Sequence, residues 1–296
     1  MTKKCPDFFI IGAPKCGTTS LASMLTKTSG AFIPEVKEPH FFGEDIPPGH
    51  GEYYRDYSSY MNLYGEAIEK KLLCGDSSVW YYRSRLAASE IFAANPEAKI
   101  IVMVREPASL IESLYFHKLY GGDEDRASII DAVYDLKPCK TKKKWTAWGV
   151  DYLQVPCWST WLPEWKAVFG SNLKVYTLDF LSQDPVCFYQ SVCDFLGLEF
   201  ESDALGYSHS NKNKKDRDLI VQRIFNLFPI RVKRVLLKVF GRYWIDSFRS
   251  AVSFFVRKKV NVSGFNEFQR LKIKEKFIKD TEYLEAEFGL KLESWK

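Results

Sequence analysis

One stretch near the start of the chain holds residue types that bind phosphate. Phe8-Phe9-Ile10-Ile11-Gly12 is an apolar run of strand length. Ala13-Pro14-Lys15-Cys16-Gly17-Thr18-Thr19-Ser20 follows it, and Leu21-Ala22-Ser23-Met24-Leu25 reads as helix. Strand, small-residue loop and helix form the layout in which backbone N–H groups and a helix dipole cradle a phosphate. A nucleotide triphosphatase also needs lysine directly after the second glycine, followed by Ser or Thr to hold Mg²⁺. Here Thr18 follows Gly17, and Lys15 stands two positions before that glycine. The lysine therefore sits at the loop's crest, and the pattern suits a phosphate-bearing donor handled without a metal. Cys16 has two readings in this loop: a thiol activated by the helix N-terminus, or a small filler of the turn.

Two further segments carry candidate groups. Glu35-Val36-Lys37-Glu38-Pro39-His40-Phe41-Phe42-Gly43 sets a carboxylate and an imidazole two residues apart. In an extended chain both point to one side, and Pro39 favours the extended form at Glu38. Such a group held against a hydroxyl is a general base; the plainer reading is a charged turn ahead of two phenylalanines. Arg105-Glu106-Pro107 closes an apolar run, with Ser113, Tyr115 and His117 after it. An arginine at a strand end can fork onto a phosphate that a serine hydroxyl completes, or form a surface salt bridge.

The elements that must hold these groups are legible. Besides the first run, Lys71–Gly75, Lys99–Val104 and Asn172–Leu178 read as buried strands, each followed by polar residues. The segments 86–94, 108–120, 155–169 (broken near Pro156 and Pro163) and 185–196 read as helices, and a final one runs over 266–288. Short apolar strands alternating with helices predict an α/β, P-loop-type three-layer domain. Its central parallel sheet has about five strands, with helical elaborations in the C-terminal third. Ligands bind such sheets at the strands' carboxyl ends. Residues 121–147 read as an irregular surface excursion.

No repeat or low-complexity linker divides the 296 residues, so 1–296 reads as one domain. Residues 211–259 hold fourteen Lys/Arg against three Asp/Glu, so this segment is +11 while the rest of the chain is −6. It reads as a basic helical cap with apolar stripes, interrupted at Pro229 and Gly241, and peripheral contact with a membrane or an anionic acceptor is one use for it. Nucleic acid is not expected as a partner, because no recognition motif accompanies the charge. The chain has no apolar run of membrane-spanning length and no leader-like start. Its seven cysteines show no CxxC or Cys/His metal spacing, so reduced thiols, a cytoplasmic location and no metal site are expected. Aromatic residues at 16% supply either a large core or a cleft for a ring-bearing acceptor.

Taken together, the Phe9–Ser20 loop, Glu38-Pro39-His40-Phe41-Phe42 and Arg105 through Ser113 resemble the sulfotransferases that use 3′-phosphoadenosine 5′-phosphosulfate (PAPS). The likeness is to the carbohydrate branch, including heparan sulfate sulfotransferases and their bacterial relatives. The resemblance covers most of the chain, down to Phe288-Gly289-Leu290 and Trp295. It implies a sulfuryl group passed from PAPS to an acceptor hydroxyl or amine, with PAP released. Lys15 would stabilise the leaving oxygen, Glu38 would act as general base, and His40 would orient the acceptor or share that role. Lys15, Cys16, Gly17, Thr18, Thr19 and Ser20 would hold the 5′-phosphate. Arg105 and Ser113 would hold the 3′-phosphate, and Lys212, in a late basic loop, would cover the donor. The acceptor would be a saccharide or another small molecule. Trp80 and Tyr81 would flank the adenine or the acceptor, or simply pack in the core. Two alternatives remain beside this reading. One is a P-loop phosphotransferase, for which Asp76 and Asp179 are the only carboxylates placed to hold a metal. The other is a PAP-binding module without catalysis.

Overall fold

The computed structural model describes residues 6–36, 38–46, 54, 56–121, 123–137, 151–205 and 263–296. The chain divides into two compact units. The first comprises Met1–Ile111, Lys144–Gly206 and Glu267–Lys296; the second comprises Glu112–Lys143 and Tyr207–Asn266. The strands are β1 Phe8–Gly12, β2 Ala31–Phe32, β3 Leu73–Asp76, β4 Lys99–Val104 and β5 Leu173–Thr177. The described helices are α1 Thr18–Leu25, α2 Tyr57–Asn62, α3 Gly65–Glu69, α4 Ala87–Ala94, α5 Pro107–Gly121, α6 Ile129–Val133, α7 Trp158–Phe169, α8 Leu178–Gln183, α9 Pro185–Leu196, α10 Glu267–Lys276 and α11 Ile278–Phe288.

In the first unit the strands form one sheet in the order β2-β3-β1-β4-β5, every neighbouring pair parallel. All of β1 is buried, and so is β4 apart from Lys99, as a sheet covered on both faces requires. The four strands read from sequence lie within two residues of their observed bounds; β2, at two residues, is too short to carry a period. Because all strands run the same way, their carboxyl ends share one edge. There β1 leads through α1 toward β2 on one side, and β4 leads through α5 toward β5 on the other. The chain therefore parts between neighbouring β1 and β4, which is where such sheets open a crevice.

Several helical expectations need correction. The segment expected from Val155 begins as helix only at Trp158, and Pro163 sits inside α7 without ending it. The last helix is two, α10 and α11, parted at buried Phe277. The stretch expected to be irregular from 121 contains α6 and a buried ion pair. Arg126 donates from Nε and Nη2 to the Glu124 carboxylate, a forked pairing that allows Glu124 to be 1% exposed. The basic cap at 211–259 lies outside the described residues. The aromatic residues go largely to the core: Trp158, Trp165, Trp295 and the phenol rings of Tyr60, Tyr81 and Tyr82 are all fully buried.

One long-range contact orders the outer helices of the first unit. Cys157 precedes α7 but offers its first turn no side-chain cap. The acceptor comes from α11 instead, where Asp280 Oδ1 takes hydrogen bonds from Ser159 N (2.8 Å) and Ser159 Oγ (2.7 Å). A carboxylate at a helix N-terminus satisfies backbone donors and complements the dipole.

Candidate active site

The loop between β1 and α1 turns on two glycines. Gly12 ends β1 with no room for a side chain, since a Cβ there would lie 2.5 Å from the Tyr82 ring. Gly17 precedes α1 with φ +91°, and a Cβ on it would meet Leu178 of α8 at 2.8 Å. Between them Lys15 stands at the crest with φ +66°, half-buried. Helix α1 has no side-chain cap and no acidic residue in its first turn, so the positive end of its dipole is not neutralised from within the helix. Thr18 is buried, Ser20 half-buried and Thr19 exposed at that end.

Cys16 is fully buried beneath this crest, and its thiol donates to the Pro14 carbonyl at 3.6 Å. Burial pushes the thiol pKa up to about 12, against the pull of the Arg105 and Lys15 charges. It is the turn's filler, and the activated-thiol reading is set aside.

Arg105, at the end of β4, reaches the loop, with Nη1 donating to the Lys15 carbonyl at 3.3 Å. Two cationic side chains thus stand where the chain parts between β1 and β4. Ser113 lies on α5, in the portion that belongs to the second unit. Lys212 lies outside the described residues.

The Glu38 segment leaves the carboxyl end of β2, but not in the expected conformation. Glu38 (φ +59°) and His40 (φ +47°) both adopt left-handed backbone, so the extended reading is wrong. The two groups meet by a tight local fold instead. His40 Nδ1 is 2.8 Å from the Glu38 carbonyl, and Nε2 is 3.9 Å from Glu38 Oε2. A carbonyl only accepts, so Nδ1 carries the hydrogen in this arrangement. His40 is 4% exposed, whereas Glu38 remains half-buried at the surface.

Beneath this segment lies a polar cluster that the sequence reading did not assemble. Asp76, the last residue of β3, is fully buried and accepts three hydroxyl hydrogen bonds: Tyr60 (2.7 Å) and Tyr81 (3.0 Å) on Oδ2, and Ser78 (2.6 Å) on Oδ1. Burial raises its pKa to about 6, opposed by those hydroxyl bonds. Burial and the nearby Asp76 charge hold both phenols well above their ordinary pKa, so they remain donors. Tyr81 is therefore a buried ligand of Asp76 and does not flank an adenine or an acceptor. Trp80 is half-buried over Tyr82 and Arg83. The signal available in the sequence was the run Asp76-Ser77-Ser78 after an apolar strand, followed by adjacent aromatics. Asp179 also has a structural partner, since Trp295 Nε1 donates to its Oδ2 at 2.7 Å. Both carboxylates considered for a metal are thus engaged by hydrogen-bond donors.

With this geometry in place, comparison with known proteins assigns the chain to a family. The sulfotransferase domain model matches residues 5–223, and the chain belongs to that family. It is 26% identical to mouse (Mus musculus) carbohydrate sulfotransferase 15 over 221 residues, covering 56% of this chain and 39% of that protein. It is 26% identical to human (Homo sapiens) heparan sulfate glucosamine 3-O-sulfotransferase 5 over 203 residues, covering 67% of this chain and 55% of that one. The chain thus spans well under two thirds of the length of these curated relatives. Among solved structures, a sulfotransferase from Alicyclobacillus acidocaldarius superposes with TM-score 0.70 over 99% of both chains at 23% identity, a likeness of fold. No helix among the described residues is long and apolar enough to cross a membrane.

Proposed function

We propose that the protein transfers a sulfuryl group from PAPS to a hydroxyl of a saccharide or other small acceptor. The observation that carries this reading is the loop at the carboxyl edge of the sheet. Lys15 crowns it, α1 has no side-chain cap and no acidic residue in its first turn, and the Arg105 guanidinium bonds the Lys15 carbonyl. This donor set fits a multiply anionic ligand. Family membership and the carbohydrate-directed names of the relatives support the choice of donor and acceptor class.

When bound, PAPS supplies an activated sulfuryl group on a phosphate leaving group. Lys15 offsets negative charge that develops at the loop as that phosphate departs. The N–H groups of Gly17, Thr18 and Thr19, with the threonine hydroxyls and Ser20, hold the 5′-phosphate. Arg105 recognises the 3′-phosphate, and Ser113 and Lys212 are assigned to the donor by the family resemblance alone. Glu38 accepts the acceptor's hydroxyl proton, and His40, beside it, fixes the carboxylate or shares the proton. The task is positioning and electrostatic stabilisation, as in phosphoryl transfer.

Thermal unfolding with PAP, ATP, or ATP with Mg²⁺ tests the donor site. PAP at roughly a hundredfold excess over its Kd is expected to raise the midpoint by about 5 °C, with a smaller rise for ATP. A larger rise with ATP and Mg²⁺ than with PAP would replace this reading with a P-loop phosphotransferase. PAP stabilisation without transfer to any of a panel of saccharides, phenols and amines would leave a binding module.

A further inference from the structure

Two hydroxyls that bond Asp76 also bond the backbone of the Glu38 segment. Ser78 Oγ accepts from His40 N at 3.1 Å, and Tyr81 Oη accepts from Phe42 N at 3.3 Å. A hydroxyl has one hydrogen. Ser78 and Tyr81 give theirs to Asp76, so each presents only lone pairs to the amide that faces it. The carboxylate thereby sets the polarity of both relays. The same tyrosines hold the segment's side chains. Tyr60 stacks on Phe41 (4.5 Å between centroids, 9° between planes), and Tyr81 meets His40 edge-on at 5.8 Å. Asp76 itself is out of reach of solvent, which leaves its charge no use as a surface group.

We infer that Asp76 is a positioning residue for catalysis, holding Glu38 and His40 in their left-handed turn through Ser78, Tyr81 and Tyr60. This rests on the reading of Glu38 and His40 as the groups beside the acceptor. A carboxamide at position 76 is nearly the same shape but cannot accept on both atoms. With its oxygen toward the two tyrosines, its NH₂ would donate to Ser78. The Ser78 hydrogen would then lose its acceptor, and the His40 relay would lose the polarity that Asp76 imposes.

The test compares Asp76→Asn, Ser78→Ala and Tyr81→Phe with Glu38→Gln. Two readouts are used: sulfuryl transfer, with PAP affinity measured alongside, and hydrogen exchange of the peptide spanning Glu38–Gly43. Asp76→Asn is expected to lower kcat by about 10–100-fold, as a small misplacement of a reacting group does, with PAP affinity within about twofold of wild type. Ser78→Ala in the Asp76→Asn background should add little, because both act through one relay. Exchange of the 38–43 amides should rise by about 10-fold or more in Asp76→Asn, and also in Ser78→Ala. Unchanged kcat and unchanged exchange in Asp76→Asn overturn the inference. So does a loss of PAP affinity matching the loss of turnover, which would indicate a general disturbance of the fold. If Asp76→Asn does not fold, Ser78→Ala and Tyr81→Phe decide by the same two readouts. A wild-type activity in Glu38→Gln alongside a slow Asp76→Asn would defeat Glu38 as the base while leaving Asp76 as the positioning residue. If the wild type transfers no sulfuryl group, the functional reading fails, and the exchange data still decide the role of Asp76.

Discussion

Among the described residues, five non-glycine positions have left-handed backbone, and Lys15, Glu38 and His40 are three of them. Such conformations cost about 1–3 kcal/mol each and persist only where surrounding contacts enforce them. Here the enforcing contacts are visible: Arg105 on the Lys15 carbonyl, and the Ser78 and Tyr81 hydroxyls on the amides of His40 and Phe42. Residue types announced these groups, because a lysine in a Gly-flanked loop and a Glu-Pro-His run are local patterns. Their backbone was not legible, because Pro39 biases Glu38 toward extension and only contacts from a distant strand end overrule it. Cys16 shows how burial decides reactivity. Its neighbours are cationic, yet its pKa is pushed up to about 12. Brief treatment of the folded protein with iodoacetamide at pH 8 is therefore expected to leave Cys16 unmodified by peptide mass analysis, and substantial labelling there would contradict the packing described.

At the scale of elements, the sequence carried the strands better than the helix boundaries. β1 and β4 are continuous apolar runs whose length and flanking polar residues mark them, whereas β2 has two residues and no pattern. Pro163 looked like a helix breaker, but α7 keeps it while burying Trp158, Leu162, Trp165 and Phe169 along one face. Tertiary packing of that stripe outweighs the lost backbone bond. The start of α7 was also unreadable, since its cap comes from Asp280 on α11. Asp280→Ala should lower unfolding stability by about 1–3 kcal/mol, the cost of stranding partly buried donors. Urea titration measures it, and a change below about 0.5 kcal/mol would mean the contact contributes little.

For the whole molecule, parallel strands gather one candidate group after another at a single edge: Lys15 after β1, Glu38 after β2, Asp76 at the end of β3 and Arg105 after β4. That edge was foreseeable from strand order of this kind, but the hydroxyl cluster on Asp76 was not, because Tyr60 reaches it from α2 while Ser78 and Tyr81 turn back onto it from the segment that follows β3. The buried carboxylate also links stability to pH. Its folded pKa, about 6, lies above the ordinary carboxyl value of 3.8, so the folded state holds the proton more tightly. Its contribution is then fully present below pH 4 and is lost as pH rises through 6, amounting to ~3 kcal/mol. Relative to Asp76→Asn, wild type should lose about that much stability between pH 4 and pH 7 in urea titrations. A difference between the two proteins that stays constant or changes the other way would refute it. Keeping an ionised group at this cost is consistent with a role in the turn above it.

In the proposed function, Lys15 and Glu38 act on opposite sides of one transfer. The direct measurement is the rate of label transfer from sulfur-radiolabelled PAPS to the best acceptor, with PAP affinity, for wild type, Lys15→Ala and Glu38→Gln. Glu38→Gln should lose about 10²–10⁴ in rate with PAP affinity kept. Lys15→Ala should lose about 10²–10³. Transfer at the wild-type rate by either variant would contradict the account.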